Sequence, residues 1–305
     1  MDLLSDTNSL IGIISGSVAI FSAFAVWKKQ RRGKALTSIP LKCPAERFIK
    51  LFESHGVSRS QISGFFGHGL TIADCSASER LVEKLTDEIL HDAAELFGIN
   101  LEWLHGASEQ IFKIHHFYKT PEECIHFFSK LKTGGNELSG YALRPDKLRS
   151  IDGYSSSIVI LENIGQINEK QIQRLHILGG WVHSYWKCRG YYAACASIAM
   201  NNDVWLIGKT CEHKWLSNFS SGEKLPIYDF ELESFNFELS GAWHVDEFLE
   251  RPKEYLKDVS PEENNFGLTS AIELWLSLEA KGYMCIDKYS NKALIRSAFE
   301  NYELS

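Results

Sequence analysis

Chemistry in this chain would have to come from scattered histidines, seven cysteines and one mixed cationic and aromatic cluster. The cluster is His183, Ser184, Tyr185, Trp186, Lys187 and Arg189, directly after the pair Gly179-Gly180. Aromatic rings mixed with Lys and Arg can line a pocket for an anionic or planar ligand, so His183, Tyr185, Lys187 and Arg189 are the candidate ligand-pocket residues. The competing reading is cations snorkelling at the rim of a buried helix. His115 and His116 are adjacent, point to opposite faces of a strand and cannot share a metal. His176, His183, His213 and His244 do not form an H-E-x-x-H spacing. The chain also lacks G-x-S-x-G, a P-loop and G-x-G-x-x-G. No catalytic residue, metal or cofactor is expected, and the chain reads as non-enzymatic. Cys188 and Cys195, seven apart, read as small buried hydrophobes. An odd cysteine count without a C-x-x-C pair is no disulfide framework and fits a reducing compartment.

The elements that would position these residues emerge from periodicity. β-rich runs occur at 111–118, 156–164, 171–178 and 203–210. Helical periodicity covers 121–132, a longer helix is expected from about Trp181 to Met200, and another carries Leu268, Ile272, Trp275 and Leu278 up to Gly282. The stretch 229–238 alternates aromatic and acidic residues, as an edge strand with one solvated face would.

Residues 45–107 read as a cluster of short helices. Ser58, Thr86 and Asn100 stand where N-caps belong, and Gly56, Gly67, Gly98 and Gly106 where helices stop. The ending HDAAELFGINLEWLHGAS and the opening RFIKLFESHGVSRSQISGFFG resemble the lambda-repressor-like (Cro or XRE type) helix-turn-helix domain. That resemblance covers 45–107 and no more. It implies DNA binding by a helix beginning near Leu70-Thr71, with the candidates Arg47, Arg59, Gln61, Thr71, Ser76, Ser78 and Arg80. Charge opposes the implication, because residues 41–107 hold six bases against ten acids. The same fold serving as a protein-binding module is the alternative.

The 305 residues carry a formal charge of −7 and are 44% hydrophobic, which excludes wholesale disorder and a multi-span transporter. From Leu10 to Trp27 there is no ionisable side chain, and KKQRRGK comes next. An uncharged run of this length matches the roughly 30 Å thickness of a bilayer, and the basic cluster after it places residues 28–305 on the cytoplasmic side. Gly12 and Gly16 form a small-xxx-small pair, a face on which two such helices could dimerise. Residues 35–305 hold 37 acids against 27 bases, so general attraction to nucleic acid or anionic lipid is not expected.

Together these readings give an α+β chain with a single transmembrane helix. The expected order is an extracytoplasmic 1–9, an anchor 10–27, a linker 28–44, a helix-turn-helix-like domain 45–107 and an α+β sensing or interaction domain 108–305. The expected function is a bacterial inner-membrane-anchored DNA-binding transcriptional regulator. The alternative is a membrane-tethered scaffold that binds protein. Expected partners are the lipid bilayer through 10–27, DNA or a protein through the helical domain, and a second copy of the chain.

Overall fold

β3 (Ser156–Ile167) and β4 (Lys170–Trp181) form the hairpin on which everything else is hung. Its two-residue turn places Asn168 at φ +55, a conformation that Asn tolerates better than most residues. The structure is a computed structural model that describes residues 43–146, 156–229, 234–237, 239–257, 259, 267–284 and 290–303. Around the hairpin lie β1 (Ile114–His116), β2 (Leu138–Pro145), β5 (Leu206–Cys211) and β8 (Leu239–Trp243), in the order β1-β4-β3-β2-β5-β8. The β1–β4 and β2–β5 pairs are parallel and the other pairs antiparallel. Strands β6 (Ile227–Asp229) and β7 (Ser234–Asn236) make a separate two-stranded ribbon.

Ser156 to Leu161 are all buried, which explains why SSIVIL is a continuous run and not an alternating one: both faces of the sheet are covered. One face packs α8 (Trp186–Asn201), α7 (Pro121–Thr133) and α12 (Gly267–Ala280) over Ile158, Ile160 and Leu178. On the other, the Ser157 hydroxyl meets Ser220 of α9 (His213–Ser220) at 2.7 Å. Helices α10 (Val245–Glu250), α11 (Pro252–Leu256) and α13 (Lys292–Glu300) complete the first layer, where the Phe299 and Trp275 rings stack at 3.7 Å.

The N-terminal helices are α1 (Pro44–Ser54), a 3-10 turn Arg59–Gln61, α2 (Ile62–Phe65), α3 (Ile72–Ser76), α4 (Ser78–Val82), α5 (Asp87–Phe97) and α6 (Leu101–Leu104). Their core is aromatic: Phe52 meets Phe97 at 5.0 Å and Phe66 at 5.2 Å. Residues Lys42–Ser305 form one compact unit. Lys170 of the β3–β4 hairpin donates to the Gly56 carbonyl, and Tyr228 of β6 lies against Gly56. The helical segment is therefore fastened to the sheet body.

Several expectations need correction. The helix expected to begin near Thr71 is broken at Ala77, whose backbone is extended at φ −138, ψ 134. At the end of α3 the Ser76 hydroxyl donates back to the Ala73 carbonyl, and α4 restarts from the Ala77 carbonyl, which accepts from the Leu81 amide. The long helix starts at Trp186, because Gly179, Gly180 and Trp181 belong to β4. Strands β2 and β8 are faint in the sequence, since Gly140, Pro145 and Gly241 weaken a strand pattern.

The single-pass membrane protein is also corrected: among the described residues no helix is long and apolar enough to cross a membrane. The anchor segment 10–27, with Gly12 and Gly16, lies outside the described residues. The inner-membrane location and the transmembrane part of the fold class are withdrawn with it. The mixed α/β body with a six-stranded sheet stands.

Candidate functional site

The sheet face that holds Ile158, Ile160 and Leu178 turns polar toward one end of the hairpin. In β3 the series continues Ile158, Ile160, Glu162, and in β4 it continues Leu178, His176, Arg174. Register pairs Ile160 with His176 and Glu162 with Arg174, and β1 sets His115 beside Leu178. Side chains of paired residues share a face, so His115, His176, Arg174 and Glu162 converge. His115, His176 and Arg174 border a groove of about 590 Å³, with Glu162 behind them. α5 contributes His91 and Glu95, the turn after it Gly98 to Asn100, α6 Leu101 and Glu102, and β1 with its approach Lys113 and His115.

Glu162 organises the groove from behind, 4% exposed. It accepts from His176 Nε2 at 2.8 Å, Arg174 at 3.2 Å and Asn136 at 2.7 Å. The His176 hydrogen bond does most to hold the Glu162 carboxyl at about 2, helped by Asn136 and the Arg174 charge, against the opposing effect of burial. Glu162 is therefore ionised at neutral pH and fixes the orientation of both basic side chains. His115 stands in a different state. Burial, then electrostatic repulsion from His176, Lys113 and His116, lowers it to about 4, so it is a neutral imidazole at pH 7. Phe127 of α7 packs against it at 4.7 Å and against His176 at 5.8 Å. The groove thus offers charged donors from Lys113 and Arg174, a neutral imidazole and two carboxylates, Glu95 and Glu102. That set suits a small polar ligand bearing a carboxylate or phosphate.

Arg174 has a second task. Its Nε donates to the Leu96 carbonyl at the end of α5, at 2.8 Å. A Cβ on Gly98, at φ +69, would come within 3.3 Å of the Arg174 stem. One side chain therefore ties the C-terminus of α5 to the buried Glu162 while lining the groove.

The candidates named from sequence fare differently. Arg189 is 1% exposed and donates to the carbonyls of His183, Tyr255 and Lys257. It fastens α8 to α11. His183 is buried and lowered well below its ordinary value, first by burial and then by Arg189. Lys187 lies 4.9 Å over the Trp186 ring beside a half-buried Tyr185. His183 and Arg189 are thus packed at the head of α8, with Tyr185 and Lys187 half-buried beside them.

Among the DNA-binding candidates, Arg47 is corrected most plainly. It is 4% exposed and bonds the Trp103 and Ser108 carbonyls and Glu109. Gln61 closes a capping box with Ser58, and Thr71 caps α3 through Asp74. Ser76 is turned onto Ala73, and Ser78 opens α4 half-buried. Arg59 pairs with Glu53 at 3.7 Å and, like Arg80, is exposed. Cys188 and Cys195 are buried, as small hydrophobes are.

Glu162, Arg174, Lys113 and His91 are site residues that sequence reasoning missed. A signal for them exists: both strands change from apolar to polar on one face, in matched register across a two-residue turn. No protein-family profile, curated protein or solved structure matches this chain, and the helix-turn-helix resemblance of 45–107 has no counterpart among these comparisons.

Proposed function

We propose that this chain is a ligand-responsive regulatory protein whose groove between α5–α6 and the β1–β4 edge binds a small anionic compound. The observation that carries the proposal is Arg174, which lines the groove and joins the Leu96 carbonyl to the Glu162 carboxylate. A ligand that engages Arg174 competes with or reinforces the link to α5, so occupancy alters how firmly the helical segment is held. The sensing role expected of the C-terminal part and the output role expected of the helices are kept in this form.

The test is titration of the full chain with inorganic phosphate, glutamate and a nucleoside monophosphate. Melting temperature and amide exchange over 87–104 are the readouts. At least one probe raises the melting temperature and slows exchange, with about 2.7 kcal/mol of stabilisation at a hundredfold excess over Kd. Arg174→Gln removes both effects. Equal response of wild type and R174Q to every probe sinks the proposal.

For the output, a protein partner is favoured over DNA by a specific observation. Ile72 and Val82, on α3 and α4, are 61% and 46% exposed, where a DNA-reading surface would carry cations. Retention on duplex DNA at low salt that weakens as salt rises would reverse this preference.

A further inference from the structure

α5 presents His91, Asp92 and Glu95 within one turn, and one donor atom from each lies within 4.8 Å of the other two. Residues four apart share a helix face, so His91 Nε2 stands 3.8 Å from Glu95 Oε1. Asp92 Oδ1 lies 3.6 Å from His91 Nδ1. A second imidazole comes from another element: His68, in the loop between α2 and α3, places Nε2 3.5 Å from Asp92 Oδ2. His68 adopts φ +56 between Gly67 and Gly69, which also have positive φ, and Phe66 packs on its ring at 4.3 Å. The loop thus turns back to deliver an imidazole to α5.

We propose that His91, Asp92 and Glu95 form a binding site for a divalent transition ion of the zinc class, with His68 orienting the Asp92 carboxylate from the facing loop. One imidazole and two carboxylates, leaving a coordination position open, are a donor set that zinc and its neighbours accept, whereas calcium and magnesium favour oxygen ligands alone. Ligands at about 2.0–2.1 Å around a tetrahedral ion are roughly 3.3–3.4 Å from each other. The His91 Nε2–Glu95 Oε1 pair at 3.8 Å is a few tenths longer, and closing the three donors onto one ion takes side-chain rotations of exposed groups. The competing account is a set of exposed ion pairs, worth about 0–1 kcal/mol each and present only when the imidazoles are protonated. The two accounts differ in pH dependence, because a metal requires neutral imidazoles and binds better as pH rises.

A second observation points the same way. His91 and Glu95 also line the groove, so the ion stands at the rim of a cavity that already holds Lys113 and Arg174. There it adds positive charge and a coordination position for a carboxylate or phosphate. The metal site does not rest on the groove proposal, since all three of its donors belong to α5.

The test uses the full chain, freed of metal by a chelator and titrated with zinc chloride by calorimetry. Cobalt(II) serves as an optical probe of tetrahedral coordination. One zinc per chain is expected, with visible cobalt absorption and affinity that increases from pH 6 to pH 8. His91→Ala and His68→Ala each weaken binding at least about tenfold. Both positions are exposed, and unchanged circular dichroism verifies folding. Cys43→Ser, at a half-exposed thiol, leaves binding unchanged. Zinc affinity unaltered in H91A, or binding no tighter than millimolar in wild type, overturns the proposal. In Arg174→Gln, zinc binding persists while the response to phosphate, glutamate and nucleotide is lost, so failure of one proposal is separable from failure of the other.

Discussion

Two arginines, Arg189 and Arg174, stand in regions of similar composition and do different work. Each has a histidine and aromatic rings nearby, and each joins elements distant in sequence. Arg189 lies in the cluster that the sequence makes conspicuous, and its partners include three backbone carbonyls. Arg174 lies in an unremarkable strand, and it holds one carbonyl and one buried carboxylate at the edge of a groove. A guanidinium surrounded by carbonyls in the interior is a fastening. One oriented by a carboxylate at a cavity wall is held ready for an exchangeable partner.

The sharpest way to break the comparison is to remove the fastening. Arg189→Ala leaves buried carbonyls of α11 and the His183 turn without a donor, and is expected to cost about 3–5 kcal/mol of stability, read from the urea midpoint. If R189A unfolds at the wild-type midpoint but loses anion binding, the roles of the two regions are reversed.

Acid is the next probe. His55 is fully buried, donates to the Leu51 carbonyl at 2.8 Å, and is lowered by burial to about 4. Its depressed value means the unfolded chain takes up a proton that the folded chain refuses. Stability from this group is present above about pH 6.5 and lost as pH falls through 4, amounting to roughly 3 kcal/mol. His115 acts in the same direction over the same window, and Glu162, held at about 2, extends the loss from about pH 4.5 downward. Urea midpoints measured from pH 7 to pH 4 should fall, with a shallower fall in His55→Leu. A flat profile would contradict the burial of both imidazoles.

The smallest expected effect sharpens the comparison most finely. Gly98→Ala forces a side chain at φ +69 against the Arg174 stem, and should cost about 1 kcal/mol in melting while speeding exchange of α5 and α6 amides. No change in exchange at 87–104 would mean that Arg174 does not hold α5.

Much of the fold was legible. The caps Ser58 and Thr86, the αL stop at Gly98, the helix at 121–132 and the runs that form β3, β4 and β5 are visible because they depend on local chemistry. The candidate site was not. His115 is adjacent only to His116, which points to the opposite face, His176 has no neighbour in sequence that would suggest chemistry, and Glu162 and Arg174 look like ordinary strand charges. For the His183–Arg189 cluster, composition alone does not say whether polar atoms face a cavity or a carbonyl.

The sequence by itself determined several starts and stops, such as the Thr86 cap and the Gly98 stop of α5, since capping, left-handed glycines and periodicity act over a few residues. Only the tertiary structure decided that Arg189 at the head of α8 turns onto backbone carbonyls and that the polar end of the β3–β4 hairpin faces a groove. Strand register sets which side chains share a face, and the docking of α5 onto the sheet sets which of them reach a cavity. Both are long-range choices that no local spacing encodes.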